Sequence, residues 1–151
     1  MTKDQLEKIE LIRSAVKNGK KIPFKPDHDS VLYWWNIMND VLFDNELKEP
    51  VKITFRKFHN SVGWCVPFRF NNKKNRKVQI GISTSINNLY DFLCVLVHEM
   101  VHAWEWICLE KWPDNVAHGK AFYSWRNKIK TITGMPLSKT YNVNIAKKLT
   151  W

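Results

Sequence analysis

Residues 90–107, YDFLCVLVHEMVHAWEWI, decide how this chain is read. Their near-continuous Phe, Leu, Val, Cys, Met, Ala and Trp content is that of a buried helix. Into this apolar run the sequence sets His98-Glu99-Met100-Val101-His102. Positions i and i+4 share a helix face, so His98 and His102 project side by side and can offer two nitrogens to one tetrahedral Zn²⁺. Glu99 is turned away by ~100°, close enough to hold a water without entering the coordination sphere. That is the layout of a zinc hydrolase. Two histidines four apart also occur as satisfied core or surface residues. The apolar flanks weigh against a solvated face, because unpartnered imidazoles and a carboxylate in a dry interior are costly and a bound dication removes that difficulty.

A catalytic zinc needs a third protein ligand. The pattern HExxHxxGxxH would require glycine at 105 and histidine at 108; the chain has Glu105 and Cys108, which excludes the metzincin subclass. Cys108 can ligate in principle as a thiolate, but without the glycine the helix continues and carries that side chain away. His28 and His59 lie far upstream in loop-like segments. His118 follows an expected helix break at Trp112-Pro113-Asp114-Asn115, opens a new helical pattern, and is the expected third ligand.

These residues resemble the SprT-like, or Spartan-type, zinc metalloproteases. The likeness rests on His98-Glu99-Met100-Val101-His102-Ala103-Trp104 and on His118-Gly119-Lys120-Ala121-Phe122, which is similar to that family's HGxxF element. It extends through Leu42-Phe43-Asp44-Asn45-Glu46-Leu47, Val62-Gly63-Trp64 and Ile132-Thr133-Gly134, about residues 30–137 in all. Ala117 stands where the family commonly has glycine. The resemblance implies a zincin-like α+β fold and one Zn²⁺ per chain, bound by His98, His102 and His118, with Glu99 as the catalytic base. It also implies a protein substrate, often one attached to DNA. Zinc lowers the pKa of its water from 15.7 toward ~7, and Glu99 would accept that proton and pass it to the leaving amine. Tyr123 and the 61–70 segment are candidates for an oxyanion donor. Many bacterial members carry a further cysteine-rich zinc ribbon; its absence here implies a minimal catalytic domain.

With 151 residues, 44% of them hydrophobic, the chain can bury one sizeable core. No linker or internal repeat divides it, so a single domain over 1–151 is expected, with 1–25 as a helical extension and 138–151 as a tail of unassigned structure. No apolar run approaches the ~20 residues that span a bilayer, and Met1-Thr2-Lys3-Asp4-Gln5 lacks a secretory hydrophobic region. A cytoplasmic protein without a membrane partner is expected, and richness in Lys and Asn suits an AT-rich bacterial or phage genome. Cys65, Cys94 and Cys108 are odd in number and widely spaced, which predicts reduced thiols rather than a disulfide framework.

Helices are expected over Asp4–Lys17, with Leu6, Ile9, Ile12 and Val16 as the apolar stripe, and from an N-cap at Ser30 to about Leu42. The buried face of the second is Leu32, Trp35, Met38, Val41 and Leu42. Val51–Phe55, Val62–Phe70 and Lys77–Ile82 alternate as strands, and Asn71–Asn75 reads as a hairpin turn. This predicts a small antiparallel sheet packed against the HExxH helix with flanking helices, and a last helix over Gly119–Thr131.

A net charge of +10 creates a field that favours polyanions. The densest basic cluster is Arg69, Lys73, Lys74, Arg76 and Lys77, with Trp64 close by in sequence; basic residues among aromatics suit a groove for single-stranded or damaged DNA. Lys120, Arg126, Lys128 and Lys130 form a second cluster. The plain alternative for each is a solvated face. Three functions fit these features: an endopeptidase acting on DNA-bound or DNA-crosslinked proteins, a regulatory protease with one protein partner, or a non-catalytic nucleic-acid-binding domain with structural zinc. The last is disfavoured by Glu99, since a structural site is normally closed by a fourth ligand.

Overall fold

A computed structural model of the chain describes residues 1–68, 75–109, 118–138, 140–142 and 146–148. Helix α1, Lys3–Asn18, begins at Thr2, whose hydroxyl accepts from Gln5 N–H while the Gln5 side chain accepts from Thr2 N–H. Helix α2, His28–Leu42, uses the same reciprocal device, but its cap is Asp27 rather than the expected Ser30. Ser30 is the third helical residue and returns the bond, so Asp27-x-x-Ser30 satisfies two orphan N–H groups at once. Ile9, Ile12 and Ala15 of α1 face the core, whereas Leu6, expected on the same stripe, is 53% exposed.

The sheet is mixed, not antiparallel. Strands β1 (Lys52–Arg56), β2 (Gly63–Phe68) and β3 (Lys77–Ser83) lie in the order β1-β3-β2. β2 runs antiparallel to β3, but β1 pairs with β3 in parallel, Ile53 opposite Ile80 and Phe55 opposite Ile82. Alternation tells which residues share a face but not which strands are neighbours; β2 pairs with one edge of β3 and β1 takes the other edge of β3. Cys65, Val78, Ile80 and Ile82 are fully buried against helix α3, Leu89–Ile107. Of the expected hairpin, residues 69–74, which include Arg69, Lys73 and Lys74, lie outside the described residues.

The expected last helix is split into α4, Lys120–Tyr123, and α5, Arg126–Thr133. Ser124 Oγ donates back to Ala121 O at 2.6 Å, a local bond that competes with the helical ladder. Trp125 at the break packs on Phe43 and Trp104, with ring centroids 4.5 and 5.1 Å away. Gly134, at φ 81°, closes α5 in the left-handed conformation that glycine adopts without strain. Short strands β4 (Thr140–Asn142) and β5 (Ala146–Lys148) pair antiparallel in the segment read as a tail. The expected break at 112–115, Ala117 and Trp151 lie outside the described residues.

Several basic side chains terminate helices. Arg76 donates to Ile107 O at the end of α3, Lys128 to Leu42 O at the end of α2, and Arg13 to Thr131 O and Ile132 O at the end of α5. Each satisfies a carbonyl that the helix leaves unpaired and meets the negative end of its dipole. Part of the positive charge therefore has an internal structural use.

All three cysteines are free. Burial pushes the Cys94 thiol up to about 12; burial and a hydrogen bond to Glu46 do the same for Cys108, also to about 12. At neutral pH almost no thiolate forms at either. Labelling by a thiol reagent at pH 7 is expected to be slow in the native protein and fast in denaturant; rapid native labelling of Cys94 or Cys108 would contradict these surroundings. Among the described residues no helix is long and apolar enough to cross a membrane.

Candidate metal centre

Helix α3 carries His98 and His102 one turn apart, their ring centroids separated by 5.0 Å. His118, at the approach to α4, completes the cluster: its Nε2 lies 3.0 Å from His98 Nε2. One nitrogen from each of the three rings lies within 4.8 Å of the other two. Two nitrogens held at ~2.0–2.1 Å by one tetrahedral ion stand about 3.3 Å apart, so this spacing suits three ligands of one cation. His98 and His102 are buried and His118 is half-buried.

The hydrogen bonds behind the rings assign their tautomers. His98 Nδ1 lies 2.9 Å from Ser138 O, and His102 Nδ1 lies 3.0 Å from Glu105 Oε1. A carbonyl and a carboxylate can only accept, so each Nδ1 carries the hydrogen, and the lone pair that a neutral ring would offer a metal is then on Nε2. Below the rings sits Phe122, fully buried, with its centroid 4.8, 4.6 and 4.9 Å from those of His98, His102 and His118. This gives the His118-Gly119-Lys120-Ala121-Phe122 spacing a physical reason: one turn of α4 puts the phenyl ring under the histidine that precedes it.

Glu99 is fully buried, and neither carboxylate oxygen has a hydrogen-bond partner among the described residues. Burial pushes its carboxyl well above the ordinary carboxylate value, whereas a neighbouring cation would favour the anion. The carboxylate rests on β2: a Cβ at Gly63 would lie 3.0 Å from Glu99 Oε2 and 2.8 Å from Val95 Cγ1. Gly63→Ala is expected to displace the carboxylate, at about 1–3 kcal/mol of stability and a fall in any Glu99-dependent turnover of tenfold or more. Thermal unfolding and single-turnover rates check this, and an unchanged variant would contradict the contact.

The three imidazoles could hold a metal ion, and the donor set fits one. Neutral nitrogen ligands suit a borderline dication, and an unpartnered buried carboxylate one residue from His98 is the kind of group that a cation compensates. The SprT-like family model matches residues 33–145. The chain belongs to the SprT-like family. A search among curated proteins finds no match. The SprT-like span begins within α2 and takes in the sheet, α3 and His118, so it contains the whole histidine cluster, while α1 precedes it.

The other nominated residues are placed differently. Cys108 caps α3 and its thiol meets Glu46, not the cluster; His28 and His59 are exposed elsewhere. Trp64 alternates with Gly63 and Cys65, so it occupies the opposite face of the sheet from Glu99. Its indole lies over Gly81, leaving no room there for a Cβ, and near Phe58 at 6.1 Å. It therefore does not line the Glu99 side. Arg76 is occupied at Ile107 O and stacks near Trp106; Lys77 begins β3, with its carbonyl accepting from Trp106 Nε1. Of the second cluster, Arg126 lies over the Tyr123 ring and Lys130 donates to Gly134 O. Sequence reasoning missed Glu105 and Ser138 as partners of the ligands. Glu105 had a signal, its i+3 spacing from His102 on one helix; Ser138 had none, because it acts through its backbone carbonyl.

Proposed function

We propose that this SprT-like chain is a zinc-dependent endopeptidase of the zincin type that acts on proteins at DNA. The observation that carries the reading is a three-imidazole cluster whose neighbour Glu99 is a buried carboxylate with no hydrogen-bond partner among the described residues. His98, His102 and His118 would hold the ion. When bound, zinc supplies an acidified water and polarises the peptide carbonyl. Glu99 takes the water's proton on a carboxylate oxygen and delivers it to the leaving nitrogen. Ser138 O and Glu105 keep two of the rings from rotating, Phe122 supports all three, and Gly63 lets the carboxylate sit against β2. A purely structural centre would normally recruit a fourth protein ligand; the cluster among the described residues has three.

DNA as the place of action is supported by the net charge of +10, although Arg76 and Lys128 are used within the fold. The test combines zinc analysis with digestion of an unfolded protein, with and without single-stranded DNA, for the native chain and His118→Ala. One zinc per chain and cleavage are expected for the native chain, with both lost in the variant. Full zinc occupancy in His118→Ala would remove the third ligand. Binding to single-stranded DNA is expected to weaken steeply with salt, because phosphate contacts release counterions; a flat dependence would remove the nucleic-acid part.

A further inference from the structure

We infer that Glu105 is a positioning residue of the metal centre, one that holds His102 by its Nδ1–H and keeps Nε2 turned toward the ion; this rests on the zinc reading above. The contact is direct, His102 Nδ1 to Glu105 Oε1 at 3.0 Å, and both side chains are enclosed, at 0% and 8% exposure. Glu105 is three residues beyond His102 on α3, so the helix itself sets the pair on one side. Glu105 as a whole residue is buried, at 6% exposure.

The two buried ligands are backed unequally. His98 is held by a neutral backbone carbonyl, whereas His102 is held by a carboxylate. A carboxylate partner fixes the tautomer and ring orientation and also makes Nε2 a stronger donor. Burying a carboxylate to bind a neutral ring is costly unless something compensates. A dication on the far side of that ring does so, because the charges of Glu105 and the ion then act across one imidazole.

The test measures zinc affinity by competition with a chromophoric chelator, together with the visible spectrum of the Co²⁺-substituted protein. The native chain, Glu105→Gln and Glu105→Ala are compared, with urea unfolding of the metal-free chains as a control for folding. Glu105→Ala is expected to bind zinc 10–100-fold more weakly and to alter the Co²⁺ bands. Glu105→Gln, whose amide oxygen still accepts from Nδ1–H, is expected to fall less and to carry the test if the alanine variant does not fold. A native chain that binds zinc tightly alongside variants that bind it equally well would overturn the role of Glu105 alone. A native chain that binds neither zinc nor Co²⁺ would overturn the zinc reading and this inference with it.

Discussion

Glu99→Gln is expected to retain one zinc per chain and to lose peptide hydrolysis by a factor of ~10²–10⁴, the usual contribution of a positioned general base. The substitution preserves shape and leaves His98, His102 and His118 untouched, but an amide cannot accept the water's proton. Zinc content and turnover measured on the same preparation separate the two effects. Full activity in the variant would end the proposal that Glu99 is the base; loss of zinc would mean that the carboxylate is a ligand. A second consequence follows from burial. Glu99 has no hydrogen-bond partner among the described residues and burial raises its carboxyl above the ordinary value. Its ionised form therefore opposes folding in the metal-free state. The metal-free variant is expected to be at least as stable as the native chain, with the gap widening as pH rises past the ordinary carboxyl value. The sign follows because the unfolded chain releases that proton first, so rising pH favours unfolding of the native chain alone.

Phe122→Ala is expected to cost about 3–5 kcal/mol, the range for removing a buried phenyl ring, and to weaken zinc binding as well. Phe122 is fully buried and lies within 4.9 Å, centroid to centroid, of all three imidazoles. Removing it opens a cavity directly beneath them. Once unsupported, His118 loses the floor that keeps its ring beside His98, and it is the least buried of the three ligands. Urea unfolding and a zinc titration check the two effects together. Phe122→Leu fills most of the volume and should recover most of the stability. A loss below about 1 kcal/mol in Phe122→Ala would mean that the ring is not the floor of the cluster.

The helix that holds the site was legible because its signals are local. An apolar run and the four-residue spacing of His98 and His102 act within one or two turns. The strands β1, β2 and β3 were legible to within a residue or two for the same reason, since alternation is a property of consecutive residues; β4 and β5 were not. Sheet order was not, because the choice of β1's neighbour depends on where β2 has already paired. Trp64 shows the same limit. Its position in sequence did not tell which face it takes; pleating turns it to the face opposite Glu99, where it covers Gly81. Arg76 and Lys128 looked like members of surface charge runs, yet they close helices contributed by distant parts of the chain.

The sequence by itself determined that two imidazoles and a carboxylate share one buried helix, that His118 was the candidate third ligand, and that the protein belongs among α+β folds. It could do so because helical periodicity and ligand chemistry are written in short spacings. Only the tertiary structure decided that His118 meets His98, that Gly63 lies against Glu99, that Glu105 and Ser138 hold the rings, and that Phe122 supports them. Apart from the His102–Glu105 and His118–Phe122 pairs, those contacts join separate elements of the chain. They exist only after burial of the apolar faces has brought α3, β2 and α4 together, so no local pattern could have encoded them.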